Sequence, residues 1–549
     1  MSEFRTQLGQ NVFHHKYAMG EGDTWAQLAW RVVDDVCGTR GGTTHPLMSR
    51  SELEQLEEYI RDFKFLPGGR YLYYAGRPLK AYNNCYLLKG EEDTREEWAN
   101  VVQRAMSCLS LGGGIGVDYS VFRPAGRMLR RTGGKASGPI PLALAVNEIG
   151  RQVKQGGSRR SAIYASLNWQ HGDAWQFLRA KDWHNMPVGQ TGQTLADMKE
   201  QDFNFPAPLD MTNISLNWDD AWLNSDSRQS NELFVENVRA AMRTGEPGFS
   251  FNFGAKSRET LRNACTEVTS EDDSDVCNLG SVNMSRIEDI HEFFDVVALA
   301  SKFLVCGTLR ADLPYEKVRQ VREKNRRLGL GLMGIHEWLL KRNYRYEMNE
   351  ELAQWLAVYV SESESAANEH CDRFYISRPK AYRAIAPTGT IGILAGTTTG
   401  IEPVYAVAYK RRYMVDGNRW RAEFMVDATA QALIDQGIEP DKIETAVELA
   451  QEPERRVAFQ ADVQDYVDMS ISSTLNLPEW GSDTNNDDKV KEFAAIIARH
   501  APRLRGLTCY PDGARGGQPI VPWSYEDAIA QKGVIIEEND SCKGGVCGI

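Results

Sequence analysis

Asn263-Ala264-Cys265-Thr266-Glu267 places one thiol two residues from an amide and two residues from a carboxylate. In an extended segment, side chains at i, i+2 and i+4 share a face, so all three groups are expected to converge on one small substrate. The thiol can host a radical or act as nucleophile, the carboxylate can take a hydroxyl proton, and the amide can hold a neighbouring hydroxyl. The alternative is a surface turn with a buried cysteine, because Cys is often a small core residue. The surroundings of this stretch decide between the two readings, and with them the fold.

Cys277 follows in Asp275-Val-Cys277-Asn278-Leu-Gly280-Ser-Val-Asn283, and Cys85 lies far upstream in Asn83-Asn84-Cys85-Tyr-Leu-Leu. A further pair, Cys542 and Cys547, stands in Ser541-Cys542-Lys-Gly-Gly-Val-Cys547-Gly-Ile549. Ten cysteines over 549 residues are too sparse for a disulfide scaffold and read as thiols or redox pairs in a reducing compartment. No Cys-x-x-Cys or His-x-x-x-His cluster suggests a metal site.

A hydrophobic content of 42% with 25% charged residues is that of an ordinary globular chain able to bury a sizeable core. The formal net charge of -12 argues against a duplex nucleic-acid binder, which carries a basic footprint. Met1 to Gln7 lacks the apolar run of a secretory signal, and no stretch approaches the roughly 18 apolar residues of a membrane span. A cytoplasmic protein without membrane or nucleic-acid partners is expected.

Residues 1 to 62 carry apolar positions at helical spacing, as in Trp25-Ala-Gln-Leu-Ala-Trp-Arg-Val-Val, and read as a small helical region. From Phe65 onward, short apolar or β-branched runs alternate with amphipathic helices and Gly-rich turns, the pattern of βα units on a largely parallel sheet. Residues 421 to 500 are rich in acidic helix formers, expected outside that sheet. Beyond Trp523 the chain becomes polar and reads as a mobile tail over 524–549.

Three Gly-rich segments could cradle an anion with backbone N–H groups. They are Ala384-Ile-Ala-Pro387-Thr388-Gly389-Thr390-Ile391-Gly392, Arg131-Thr132-Gly133-Gly134-Lys135-Ala-Ser137-Gly138-Pro139 and Lys154-Gln155-Gly156-Gly157-Ser158-Arg159-Arg160. The first is equally open to reading as a simple turn, and each of the other two, taken singly, is more often a solvated loop. Leu111-Gly112-Gly113-Gly114-Ile-Gly116-Val-Asp118 lacks the full dinucleotide fingerprint, which excludes a Rossmann reading.

Taken in order, these segments resemble the large catalytic subunit of ribonucleotide reductases, and most closely the adenosylcobalamin-dependent class II enzymes. Further matching stretches are Phe65-Leu-Pro-Gly-Gly-Arg70, Asn213-Ile-Ser, Asn325-Arg-Arg-Leu-Gly-Leu-Gly-Leu-Met-Gly334 and Gly506-Leu-Thr-Cys-Tyr510-Pro-Asp-Gly513. The resemblance implies an α/β fold over 63–523: a ten-stranded barrel of two parallel five-stranded halves with a central finger loop. It implies that Cys265 carries a thiyl radical, that Glu267 takes the ribose 3′-hydroxyl proton and that Asn263 holds the substrate hydroxyls. Cys85 and Cys277 would supply the reducing equivalents and become a disulfide, which Cys542 and Cys547 would reduce by thiol-disulfide exchange. A flexible stretch of about 20 residues spans roughly 25 Å, enough for such a shuttle.

By the same resemblance, Asn84, Gly113, Gly114 and Pro387-Thr388-Gly389-Thr390-Ile391 would bind a ribonucleoside di- or triphosphate. Asp93, Lys135, Arg159 and Arg160 would serve a deoxynucleotide effector, a thioredoxin- or glutaredoxin-like protein would be the reductant, and a homodimer is one allowed state. Class II is preferred because the late motif offers Tyr510 alone where class I enzymes carry a Tyr-Tyr pair, and because Glu267 and the dithiol tail distinguish the chain from class III. Two departures stand out. Gly69-Arg70-Tyr71-Leu72-Tyr73-Tyr74 lacks the small hydroxyl residue many relatives place there, and no Asp-x-His-x-x-Gly motif is present. The competing readings are a class I large subunit needing a radical-generating partner and a nucleotide-binding redox regulator. Only the enzyme reading requires Cys85 and Cys277 within disulfide reach, that is, with Cα atoms no more than about 7 Å apart.

Overall fold

The computed structural model describes residues 4–40, 45–129, 133–153, 161–190, 192–202, 204–225, 227–416, 419–514 and 520–538. Among the described residues, ten strands form the main sheet: β1 (Phe65–Pro67), β2 (Cys85–Lys89), β3 (Gly114–Asp118), β4 (Ile163–Asn168), β5 (Thr212–Asp219), β6 (Gly248–Asn252), β9 (Asp275–Asn283), β10 (Leu328–Met333), β13 (Thr474–Leu477) and β14 (Gly506–Pro511). A short hairpin, β7 (Leu261–Arg262) with β8 (Thr269–Ser270), stands apart from it. β11 (Ala408–Asp416), β12 (Arg419–Val426), β15 (Ile520–Trp523) and β16 (Ile535–Glu538) make a separate four-stranded sheet.

β2 to β6 pair in parallel in chain order. Helices Arg95–Ser110, Ile140–Gln152 and Arg228–Thr244 are among the crossovers that parallel pairing requires. Their ends follow from local chemistry. The Thr94 side chain accepts from Glu97 N–H to start the first, and Gly245, at φ +81, closes the third in the left-handed region that glycine enters without strain. Because helices cover this sheet, its strands are buried on both faces; β3 and β6 are buried at every residue.

A second parallel series begins with β9 and β10, in register Leu328↔Asn278. Parallel bridges Leu330↔Arg383 and Ile385↔Ile471 continue it, and β13 pairs in parallel with β14. The two series meet antiparallel at β2 with β9 and at β6 with β14.

The helices of the N-terminal region are built on capping boxes, at Thr24 for Trp25–Val36 and at Ser49 for Arg50–Arg61. Trp25, Leu28, Val32, Leu56 and Ile60 are fully buried in one core with Phe303 and Leu304 of helix Ile290–Arg310. At about 1.5–3 kcal/mol for each fully buried large apolar side chain, this contact welds the region onto the outer face of the sheet.

Residues 421–500 are helical at Ala428–Asp435, Ala446–Leu449, Pro453–Gln464 and Val490–His500, and they also supply β13 and most of β12. The stretch expected to be a mobile tail opens with ordered elements, helix Tyr525–Ala530 and β16, which pairs antiparallel with β12. The reason is local. Ala528 is buried against Ala408 and Phe424, Ile536 packs on the same cluster, and the β12 edge satisfies the backbone of a polar strand. Cys542 and Cys547 lie outside the described residues. No helix among the described residues is long and apolar enough to cross a membrane.

Candidate active site

The decisive stretch is not extended. Pairing in the hairpin ends at Arg262↔Thr269, and the six residues between them reverse direction. Thr266 N–H donates to Asn263 O at 3.0 Å, and Thr266 takes φ +71, a conformation a β-branched residue adopts only when its surroundings impose it. The Asn263 side chain accepts from Val268 N–H at 2.9 Å and locks the turn from inside. Convergence of the three groups is therefore produced by a tight hairpin tip and not by strand alternation, and the expectation of an extended segment is corrected.

The tip is enclosed by the main sheet. Glu267 O accepts from Ser470 N–H at 2.9 Å, which ties the tip to the segment that bridges toward β13. On the other side it presses on β3. A Cβ at Gly116 would stand 1.7 Å from the Arg262 carbonyl oxygen, and one at Gly114 would stand 3.0 Å from the Ala264 Cβ. Gly114 and Gly116 share the inward face of β3, so the Gly-x-Gly spacing makes room for a second backbone.

Cys85 and Cys277 face each other across the antiparallel junction of β2 and β9. Directly opposed residues in such a ladder have Cα atoms about 4.5–5.5 Å apart, inside the range a disulfide bridges. Both thiols are buried, and they share one apolar cluster with Leu87, Leu261, Val268, Leu279, Ala384, Ala386 and Met469. Asn263 Nδ2 donates to Cys85 Sγ at 2.9 Å, so the hairpin tip touches the pair directly. A Cβ at Gly329 would come within 3.0 Å of Cys277 Sγ, so glycine there leaves room for the thiol.

Burial pushes both thiols well above the ordinary cysteine value; the Glu267 carboxylate adds to this at each. They are kept as S–H groups, able to give up hydrogen. Burial likewise raises the Glu267 carboxyl to about 7, against opposing hydrogen bonds from Asn263 and the backbone. Glu267 Oε2 is buried with no hydrogen-bond partner among the described residues. A carboxyl poised near neutrality with an oxygen left open is suited to take and return a substrate proton. Cys265 differs from its neighbours: it is an exposed residue, while Asn263, Glu267, Cys85 and Cys277 are buried.

The segment entering Pro387 lies beside this group, since Ala384 and Ala386 share the cluster of the two thiols. Thr388 turns the chain at φ +48 and its hydroxyl accepts from Gly400 N–H at 2.8 Å; helix Gly389–Ala395 follows. The side of Gly389 where a Cβ would stand is open space. Asn84 adjoins the junction, with Oδ1 buried and without a partner among the described residues. Gly113 is packed so closely on the Tyr86 ring that a Cβ there would stand 2.2 Å from it. Arg70, in the departing segment, is spent on the carbonyls of Ala81, Leu111 and Gly112.

Of the residues expected to bind an effector, Asp93 and Lys135 are described. Asp93 pairs with Arg123, Nε to Oδ2 2.6 Å, and Lys135 is exposed on a bridge to Met128. Arg159 and Arg160 lie outside the described residues. Sequence reasoning missed the packing purpose of Gly116 and Gly329. Each carried the same signal, an i, i+2 spacing from a second glycine: Gly114 for Gly116 and Gly331 for Gly329.

The description "Ribonucleotide reductase, barrel domain" matches residues 83–199, 216–361 and 377–500. The chain belongs to the ribonucleotide reductase family. A vitamin B12-dependent ribonucleoside-diphosphate reductase of Mycobacterium tuberculosis is 27% identical, over 91% of this chain and 78% of its own length. An enzyme of the same name from Thermoplasma acidophilum is 24% identical over 88% of this chain and 68% of its own. A protein of Mycobacterium phage D29, described as a candidate adenosylcobalamin-dependent ribonucleoside-triphosphate reductase, is 27% identical over 79% of this chain and 71% of its own. All three carry a B12 or adenosylcobalamin dependence in their names.

Proposed function

We propose that this chain is an adenosylcobalamin-dependent ribonucleotide reductase that converts ribonucleoside di- or triphosphates to 2′-deoxyribonucleotides. The observation that carries the reading is the hairpin tip, which holds Asn263, Cys265 and Glu267 against a directly opposed pair of buried thiols, Cys85 and Cys277.

The bridges at Leu330↔Arg383 and Ile385↔Ile471 support closure of the sheet into a ten-stranded barrel, with β2 to β6 as one parallel half. The other half is β9, β10, the Arg383–Ile385 stretch, the stretch from Ile471 through β13, and β14. β7 and β8 are then the central finger.

The residues fit the cofactor in one respect: Cys265 is an exposed residue at the finger tip while the groups beneath it are buried, so this residue can be approached from outside the cradle. When bound, adenosylcobalamin supplies a carbon-centred radical that removes a hydrogen atom from a thiol. The Cys265 thiyl takes hydrogen from the ribose 3′ carbon as Glu267 accepts the 3′-hydroxyl proton and Asn263 orients the hydroxyls. Cys85 and Cys277 deliver two electrons and two protons, the 2′ hydroxyl leaves as water, and the thiols close to a disulfide. Cys265 then returns its hydrogen to the 3′ carbon. Ribonucleotide and dithiol become deoxyribonucleotide, disulfide and water. Cys542 and Cys547 reopen the disulfide by exchange and pass the oxidation to a thioredoxin- or glutaredoxin-like protein.

The Thr388 loop and Asn84 are the expected contacts of substrate phosphate and sugar. The loops around Lys135 and Arg159-Arg160 are expected to couple a deoxynucleotide effector to base choice. Such coupling typically reaches about 1–3 kcal/mol.

The test is purified protein with adenosylcobalamin, a dithiol and each of the four nucleotides as di- and triphosphate. Deoxynucleotide formation without any partner subunit supports the reading. Activity that demands a radical-generating partner would assign the chain to class I, and no reduction of any nucleotide would overturn it.

A further inference from the structure

The stretch Asn325-Arg326-Arg327 helped identify the family but has no part in the chemistry above. It precedes β10 and enters a buried ionic cluster at the root of the finger. Arg327 has a side chain only 1% exposed and reaches in two directions. Its Nε donates to Asp275 Oδ2 at 2.9 Å, and Asp275 is fully buried on β9, two residues before Cys277. Its Nη1 and Nη2 both lie 3.4 Å from Glu259 Oε1, just before β7.

Glu259 in turn holds the hairpin. Its Oε2 accepts from Thr269 Oγ1 at 2.7 Å, on the returning strand β8, and from Arg505 Nη2 at 3.3 Å, at the entrance to β14. Asp275 Oδ2 also accepts from Ser270 Oγ at 2.6 Å and Asn325 Nδ2 at 2.8 Å. Both hairpin strands are thus fastened to the strand of Cys277 through buried charge. Arg327 and Arg505 hold the Glu259 carboxyl below its ordinary range although burial acts the other way. β7 and β8 pair over only two residues each, too few to fix by themselves where the tip stands.

We infer that Arg327 is a positioning residue for the finger: fixed to the Cys277 strand through Asp275 and to the hairpin root through Glu259, it sets where Cys265 stands relative to the Cys85–Cys277 pair. The forked guanidinium is what allows one side chain to make both contacts, which a lysine cannot reproduce. The inference rests on the reductase reading for its consequence in turnover, but the placement itself can be tested without turnover.

The experiment compares wild type, Arg327→Lys and Glu259→Gln in the full-length chain. Glu259→Gln changes the less buried end of the link, so it decides the matter should Arg327→Lys fail to fold. Each protein is oxidised with diamide, which takes two hydrogens from a thiol pair, and its disulfides are mapped by peptide mass spectrometry. Turnover is measured in parallel. A finger released from its anchor should pair Cys265 with Cys85 or Cys277 several-fold more often than in wild type. kcat should fall by about 10²-fold, as a misplacement near 1 Å produces, with the nucleotide KM little changed. Wild-type disulfide pairing in a folded variant would overturn the inference whatever its kcat, and so would unchanged kcat. A wild type that reduces no nucleotide would sink the reductase reading while leaving the pairing result to stand.

Discussion

Replacing Glu267 with glutamine tests the proposed base through stability and rate together. The folded chain raises this carboxyl from 4.5 to about 7, chiefly by burial. Between those values the folded state holds a proton that the unfolded state has released. Stability falls with rising pH wherever the folded state binds the extra proton, so this contribution is complete below about pH 4.5, is lost progressively toward 7, and is constant above. The interval is roughly 2.5 pH units, or about 3 kcal/mol at 1.36 kcal/mol each. Glutamine has no proton to release. From pH 4.5 to 7.5, Glu267→Gln should therefore gain about 3 kcal/mol relative to wild type in urea unfolding. In the same wild type, kcat/KM should rise with pH through about 7, as the carboxylate needed to accept the 3′-hydroxyl proton forms. The variant should lose about 10²–10⁴-fold in rate. Parallel stability curves for the two proteins from pH 4.5 to 7.5 would refute the raised carboxyl, and substantial turnover by the variant would refute its role.

Cys265→Ser should abolish deoxynucleotide formation while nucleotide binding persists, because an alcohol O–H is too strong to yield a radical efficiently; appreciable turnover would remove the thiyl step. Gly116→Ala forces a Cβ toward the Arg262 carbonyl and should cost about 1–3 kcal/mol in stability, together with about 10²-fold in kcat, checked by melting and steady-state rates. Cys542→Ser combined with Cys547→Ser should stop thioredoxin-driven turnover but spare a single turnover by pre-reduced protein; unchanged thioredoxin-driven turnover would mean the tail carries no electrons. Arg159→Ala and Arg160→Ala should flatten the dependence of substrate choice on added deoxynucleotide, measured over all four substrates; unchanged ratios in both would move the effector contact elsewhere.

Residue types were legible in the chain because chemistry demands them: a thiol flanked by an amide and a carboxylate, two further cysteines in distinctive settings, and runs of glycine. Conformation was less so. Thr266 gives no sign that it will take φ +71, and that angle turns an apparent strand into a hairpin tip. The 524–538 stretch looked too polar to order, yet Ala528 and Ile536 find a small core and β16 completes the edge of β12. Composition weighs what a segment can bury alone, not the edge it can join.

The register of β9 is the clearest instance of what the sequence leaves open. Side chains alternate along a strand, and here Cys277 and Leu279 face inward with Cys85 and Leu87, whereas Val276 faces outward with Tyr86 and Leu88. A slip of one residue would turn Cys277 into the outer core and leave Cys85 opposite Val276 or Asn278, so that the two thiols would no longer face each other. In a half-exposed strand the polar alternation would forbid that slip. β9 is buried at every residue, so its own pattern is silent about which face is inner. The choice falls to contacts from elsewhere in the chain. Arg327 and Asn325 meet Asp275 at one end of β9, and Asn283 Nδ2 donates to Phe63 O at the other. The two opposed thiols are thus placed by polar groups that never touch them, at two ends of a strand whose middle could fit either way.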